Sequence, residues 1–132
     1  MKNKGIMRPL AVAVISLALI TPASGIDHPV EPFQKAKAMA LIEGRLTGNG
    51  GNYILIIEGW GAIIYTAKDE SIILTKGTPN DNAGVAYYGK DNKYHVSRRV
   101  DGGDPEIAIV DWSVAMDIAN KYLQEIEAVR SK

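Results

Sequence analysis

The chain has no cysteine, and only two of its 132 residues are histidines. The absence of cysteine excludes disulfides, thiol catalysis and every cysteine-based metal site. No Asn-x-Ser/Thr glycosylation sequon occurs either. Because His28 and His95 are the only side chains with an ordinary pKa near neutral pH, the sequence is poor in the groups that acid–base catalysis uses.

Known catalytic and metal-binding motifs are also missing. None of the serines downstream of residue 25 lies in a Gly-x-Ser-x-Gly elbow, and no His-Glu-x-x-His pair occurs. Ser97 and His95 are two residues apart on one strand face, where side chains point outward in parallel and do not form a triad. The carboxylates of segment 101–106 miss the EF-hand spacing, so calcium is a minor alternative to a plain turn. We predict no catalytic residue, no metal ligand and no cofactor.

The first 25 residues have the pattern of a cleavable signal peptide. Three basic residues come first, Lys2, Lys4 and Arg8. An apolar run over 10–20 follows, and segment 21–25 supplies a proline and the small residues for cleavage after Gly25. A retained anchor is the weaker alternative, because a spanning helix needs about 20 apolar residues. The expected location is outside the cytoplasm, periplasmic or secreted, in a bacterium.

Cleavage would leave residues 26–132, the size of one small domain. This part has twelve basic and fifteen acidic residues. Such a mildly acidic balance argues against a general nucleic-acid binder and against an anionic-membrane binder, which need a basic surplus.

Composition along the chain predicts an α+β fold. An extended leader over 26–31 precedes a helix from Pro32 to Glu43 that ends at Gly44. Runs rich in β-formers then predict strands over 53–57, 62–66, 71–75, 85–88 and 94–100. The apolar run 53–57 is typical of a central buried strand. Arg98 on the apolar side of 94–100 indicates an edge strand, and 107–110 fits either a strand or a helix start.

The strongest helical pattern follows Asp111, a suitable N-cap. Apolar residues recur there at steps of three and four, forming a stripe of Trp112, Ala115, Ala119, Tyr122, Ile126 and Val129. We therefore predict an N-terminal helix, an antiparallel meander of four to five strands and a C-terminal amphipathic helix. Both helices pack on one face of the sheet and leave the other face free for a partner.

Aromatic and basic residues cluster around the predicted 85–100 hairpin and a neighbouring strand. The candidate partner-binding residues are Trp60, Tyr65, Tyr88, Tyr94, His95, Arg98 and Arg99. Tyrosine, tryptophan and arginine are enriched at interface hot spots, although cross-strand aromatic pairs also stabilise sheets.

The main hypothesis is an exported, non-enzymatic binding module for another protein or an envelope component, such as a periplasmic inhibitor or immunity-type protein. The alternatives are a small carboxylate-dependent hydrolase, whose acids are scattered along the sequence, and a structural or assembly subunit of the cell envelope that polymerises through a strand edge.

Overall fold

The computed structural model describes residues 30–48 and 50–132. The signal peptide predicted over 1–25 lies outside these residues, as does most of the predicted leader. Of that leader only Val30 and Glu31 are described, and Glu31 already belongs to the first helix.

The described chain contains two helices and seven strands. In order, they are α1 (Glu31–Glu43), β1 (Arg45–Thr47), β2 (Asn52–Ile57), β3 (Gly61–Thr66), β4 (Ser71–Gly77), β5 (Asn82–Tyr88), β6 (Lys93–Arg99), β7 (Glu106–Val110) and α2 (Trp112–Arg130).

The sheet is a simple meander in which every strand pairs antiparallel with the next one along the chain, from β1 to β7. The predicted α+β class, with both helices packed on the sheet, is confirmed. The sheet has two strands beyond the five-strand upper count, because segment 107–110 forms β7 and the three-residue β1 is too short to leave a sequence pattern.

Two expectations about strand position are wrong. Strand β6 is not an edge strand, since it pairs with both β5 and β7. Arg98 is nevertheless exposed, because its long side chain can reach water from a covered face. Strand β2, which its apolar run predicted to be central and buried, lies one place from the edge of the sheet. Ile56 in that run is 69% exposed.

Helix α1 packs on β2, β3 and β4 through small side chains. Phe33, Ala36 and Ala40 are fully buried, and the two alanines allow the helix to approach the sheet closely. The helix ends at Gly44, whose N–H donates to the Ala40 carbonyl over 2.8 Å. A side chain on Gly44 would collide with that carbonyl, which explains why glycine occupies the position.

Helix α2 buries the predicted stripe against β4, β5 and β6. Ala115, Ala119, Leu123 and Ile126 are buried, while the Asp111 side chain makes no capping hydrogen bond in the described chain. Between the helices, Lys35 pairs with Glu127 (Nζ to Oε2, 3.9 Å) and Arg130 pairs with Glu43. These pairs are well exposed, so burial of the stripe supplies most of the docking energy.

The core lies between the helices and one face of the sheet, named here the helix face. Its centre is a row of directly paired residues on neighbouring strands, Ile63, Leu74 and Val85, none of which is exposed. The opposite side of the sheet, named here the open face, is covered by neither helix.

Candidate functional site

The open face is apolar although no described helix covers it. Strand alternation directs two rows of residues outward, each running across the sheet. One row consists of Ile54, Ile64, Ile73, Ala86, His95 and Ile109. The other consists of Ile56, Ala62, Thr75, Gly84, Ser97 and Ile107. Both sides of this sheet therefore present aliphatic surface.

A cavity of about 680 Å³ lies on this face and is named here the trough. It extends from Ile54 and Ile56 on β2 to Ile107 on β7. Its floor is mainly isoleucine and alanine, and its polar lining residues are Thr75, Thr78, Asn82, Tyr88, His95, Ser97 and Arg99. An apolar cavity with a few polar groups is typical of a ligand site.

Two loops at one end of the sheet form a braced rim of the trough. The Gly102 N–H donates to the Asn80 carbonyl over 2.9 Å, and the Asp101 N–H donates to Asp81 Oδ1 over 3.1 Å. Asn82 Nδ2 donates to the Thr78 carbonyl over 2.7 Å. The first two bonds connect the β4–β5 loop to the β6–β7 loop, and the third braces the β4–β5 loop itself, so the rim is held in place before any ligand arrives.

Three of the predicted binding residues, Tyr88, His95 and Arg99, share the open face and line the trough. The rings of Tyr88 and His95 are in contact, with centroids 4.6 Å apart. Arg99 ends β6 at the rim, where Nη1 donates to the Gly103 carbonyl over 2.8 Å. Tyr87, the residue before Tyr88, lies on the opposite face and is buried in the core.

The other four predicted residues lie outside the trough. Tyr65 stacks on Tyr53 on the helix face. The exposed Arg98 is on that side too, since it directly opposes Ala83 rather than an open-face residue. Tyr94 is 5% exposed, and its hydroxyl has no hydrogen-bond partner among the described atoms. Burial is the main cause of the raised pKa of Tyr94.

Trp60, the fourth of these residues, connects the β2–β3 turn to α2. Its Nε1 donates to Glu125 Oε1 over 3.0 Å, and its ring meets Tyr122 edge-on at 5.2 Å. Lys76 Nζ also approaches Glu125 Oε1, at 2.7 Å. The hydrogen bond from Lys76, followed in size by the one from Trp60, holds the pKa of Glu125 below its ordinary value of 4.5. The bond to Glu125 in turn raises the pKa of Lys76.

Replacing Glu125 with glutamine should remove an acid-sensitive part of the stability. Because the pKa of Glu125 is lowered on folding, its contribution is complete above about pH 4.5 and disappears as the pH falls through the lowered value. We expect E125Q to reduce the free energy of unfolding at pH 7 by less than about 1 kcal/mol, since the pair is solvent-screened. Urea unfolding at several pH values should show this difference shrinking below pH 4.5.

Glu127→Gln is the matched control for E125Q. The Glu127 side chain is 66% exposed and meets Lys35 only at 3.9 Å. Its substitution should change stability little and equally at every pH. A difference between wild type and E125Q that stayed constant from pH 7 to pH 3 would contradict the assignment to Glu125.

The described residues offer little for catalysis or metal binding. Among them, no group of three or more histidine, aspartate or glutamate side chains is placed to hold a metal ion. His95 and Ser97 both line the trough, on alternate positions of β6. His28 lies outside the described residues.

The isoleucine floor of the trough was not among the binding residues predicted from the sequence. Ile54, Ile56, Ile64, Ile73 and Ile107 line it, and none was a candidate binding residue. The available signal was the pairing of adjacent isoleucines in β3 and β4, which makes both faces of each strand apolar. That signal also fits a strand covered on both sides, as the prediction for β2 assumed.

No protein-family model, no curated protein and no solved structure matches this chain. Within the described part of the chain, neither helix has the length and apolar character needed to cross a membrane.

Proposed function

We propose that this chain is an exported, non-enzymatic binding module that holds an apolar small molecule in the trough on its open face. The supporting observation is the apolar cavity of about 680 Å³ on a sheet face that neither helix covers. Small-molecule sites measure about 300–1,000 Å³ and combine apolar walls with a few polar groups.

The exposure of the floor residues supports the same proposal. Ile56 is 69% exposed and Ile107 is 61% exposed, at opposite ends of the trough. Contiguous exposed apolar surface of this kind marks binding sites, because leaving it in water costs free energy. A bound apolar molecule would remove that surface from water on both sides of the contact.

The polar groups of the trough favour binding over catalysis. Among its described lining residues, His95 is the one histidine, and none is an aspartate or glutamate. General acid–base and glycosidase chemistry both need such partners. The predicted signal peptide supports export, where an apolar molecule would need a carrier to cross an aqueous compartment.

An uncharged fluorescent dye, N-phenyl-1-naphthylamine, tests the proposal. The protein is expressed as the full 132-residue chain and recovered from the exported fraction. We expect the dye to brighten with saturable binding, and Ile56→Ser to weaken its affinity by about fivefold because part of the floor is lost. Ile42→Ser is the matched control, since Ile42 is 81% exposed on α1 and lies outside the trough.

Two results would contradict the proposal. Absence of dye binding by the wild-type protein would show that the trough is not a site for apolar ligands. Equal losses of affinity in the two variants would show that the dye binds elsewhere. Recovery of the protein only from the cytoplasm would contradict the export part alone.

A further inference from the structure

Arg99 carries the one full positive charge among the described residues that line the trough, and no acidic residue is among them. Its guanidinium has five N–H donors, and the bond to the Gly103 carbonyl uses one. No described carboxylate is within ion-pair distance of Arg99. The trough thus combines an apolar floor with a cation at its rim whose charge has no acidic partner among the described residues.

The same sign of charge extends over the rest of the open face. By strand register, Arg45 and Lys93 also project to this side, opposite Ile54 and Tyr88. No strand of the described sheet places an aspartate or glutamate there, because Glu106 pairs with Arg98 on the helix face. The nearby Asp81 already accepts a hydrogen bond from the Asp101 N–H.

This charge pattern distinguishes between occupants. A second copy placed face to face would bring the basic strand residues of the two open faces together, with no acidic strand residue between them, which is unfavourable. An anionic ligand meets the Arg99 guanidinium instead, which keeps four N–H donors beyond its bond to Gly103, and arginine binds carboxylates through two parallel hydrogen bonds. Charge complementarity therefore favours a small anion with an apolar body.

The shape of the trough indicates a long apolar body. The cavity crosses from β2 to β7, which is five inter-strand steps of about 4.8 Å, or about 24 Å. The outward isoleucines follow this direction in a cross-strand row. An extended acyl chain can span that length, and its single polar end would lie at one side.

We propose that the ligand of the trough is a long-chain carboxylic acid in its anionic form. Its acyl chain lies along the isoleucine floor, and its carboxylate is held by Arg99. This inference rests on the proposed function, because it identifies the chemical class that the same trough binds.

The test compares cis-parinaric acid, a fluorescent 18-carbon fatty acid, with its uncharged methyl ester at pH 8. We expect wild-type protein to bind the acid about tenfold more tightly than the ester, as one charge-assisted pair supplies. Arg99→Gln should bring this ratio close to one, and Arg99→Lys should retain part of it. Arg98→Gln, which removes the same charge from the neighbouring residue on the opposite face, should keep the wild-type ratio.

The outcomes separate the inference from the proposed function. Equal affinity for acid and ester, with the uncharged dye still bound, overturns the carboxylate and leaves the binding module standing. A dodecyl phosphate that binds more than tenfold better than dodecanoic acid also overturns it, in favour of a phosphate headgroup. Concentration-dependent dimerisation that excludes every probe assigns the face to a second copy and overturns both proposals. The circular dichroism spectrum of Arg99→Gln must match that of wild type. If Arg99→Gln does not fold, the acid-to-ester affinity ratio of Arg99→Lys tests the inference instead.

Discussion

Replacing Phe33 with alanine should lower the free energy of unfolding by about 3–5 kcal/mol. Phe33 is the chain's one phenylalanine and is completely buried. Its ring lies 5.9 Å from the Tyr87 ring and 6.1 Å from the Tyr94 ring, so it joins α1 to two strands. Truncation would leave a cavity between these rings, and the lost contacts add to the lost burial.

Such a loss is a large part of the 5–15 kcal/mol that a small domain has in total. Urea denaturation followed by tryptophan fluorescence measures it. Ile42→Ala is the control, because a residue that is 81% exposed should contribute less than about 0.5 kcal/mol. A loss below about 1 kcal/mol for F33A would mean that α1 is not docked as described.

Replacing Ala62 with phenylalanine should strongly weaken ligand binding while leaving the fold intact. Ala62 lies on the trough floor between Ile56 of β2 and Thr75 of β4. An added ring would occupy the space that the ligand needs without removing any apolar contact surface. Aromatic residues are favourable on exposed sheet faces, so the strand should tolerate the change.

Titration with the uncharged dye should show affinity at least about 30-fold below wild type, because an overfilled cavity resists its ligand by several kcal/mol. The control is Ala128→Phe, the same substitution at an exposed position of α2. Wild-type affinity in A62F would show that the dye binds outside the trough, and a lowered melting temperature would show that the sheet does not accept the ring.

Local patterns predicted most of the fold. The three- and four-residue recurrence after Asp111 identified α2, and the glycine after Glu43 identified the end of α1. These features depend on near neighbours in the chain. The three-residue β1 was not predicted, because it forms through pairing with β2 rather than through a pattern of its own. No periodicity develops over so few residues.

The candidate site was less predictable than the fold. Aromatic and basic residue types selected seven positions, of which strand alternation brings only three, Tyr88, His95 and Arg99, onto the open face. Trp60 and Tyr94 are equally good interface residues by type, yet they are buried in the core. The isoleucine floor could not be assigned either, because an apolar residue on a strand shows burial preference and not which face is covered.

The strand order has a consequence for how the protein is made. Since every strand pairs with the one before it, the sheet can grow one hairpin at a time as the chain emerges, with mostly short-range contacts. Helix α2 follows all seven strands in the chain, and it supplies Ala115, Ala119 and Ile126 to the core. Until it docks, the finished sheet presents apolar surface to water on both sides. Aggregation should therefore compete with folding mainly in that interval. A ligand bound to the open face would cover the apolar surface on that side and so reduce aggregation.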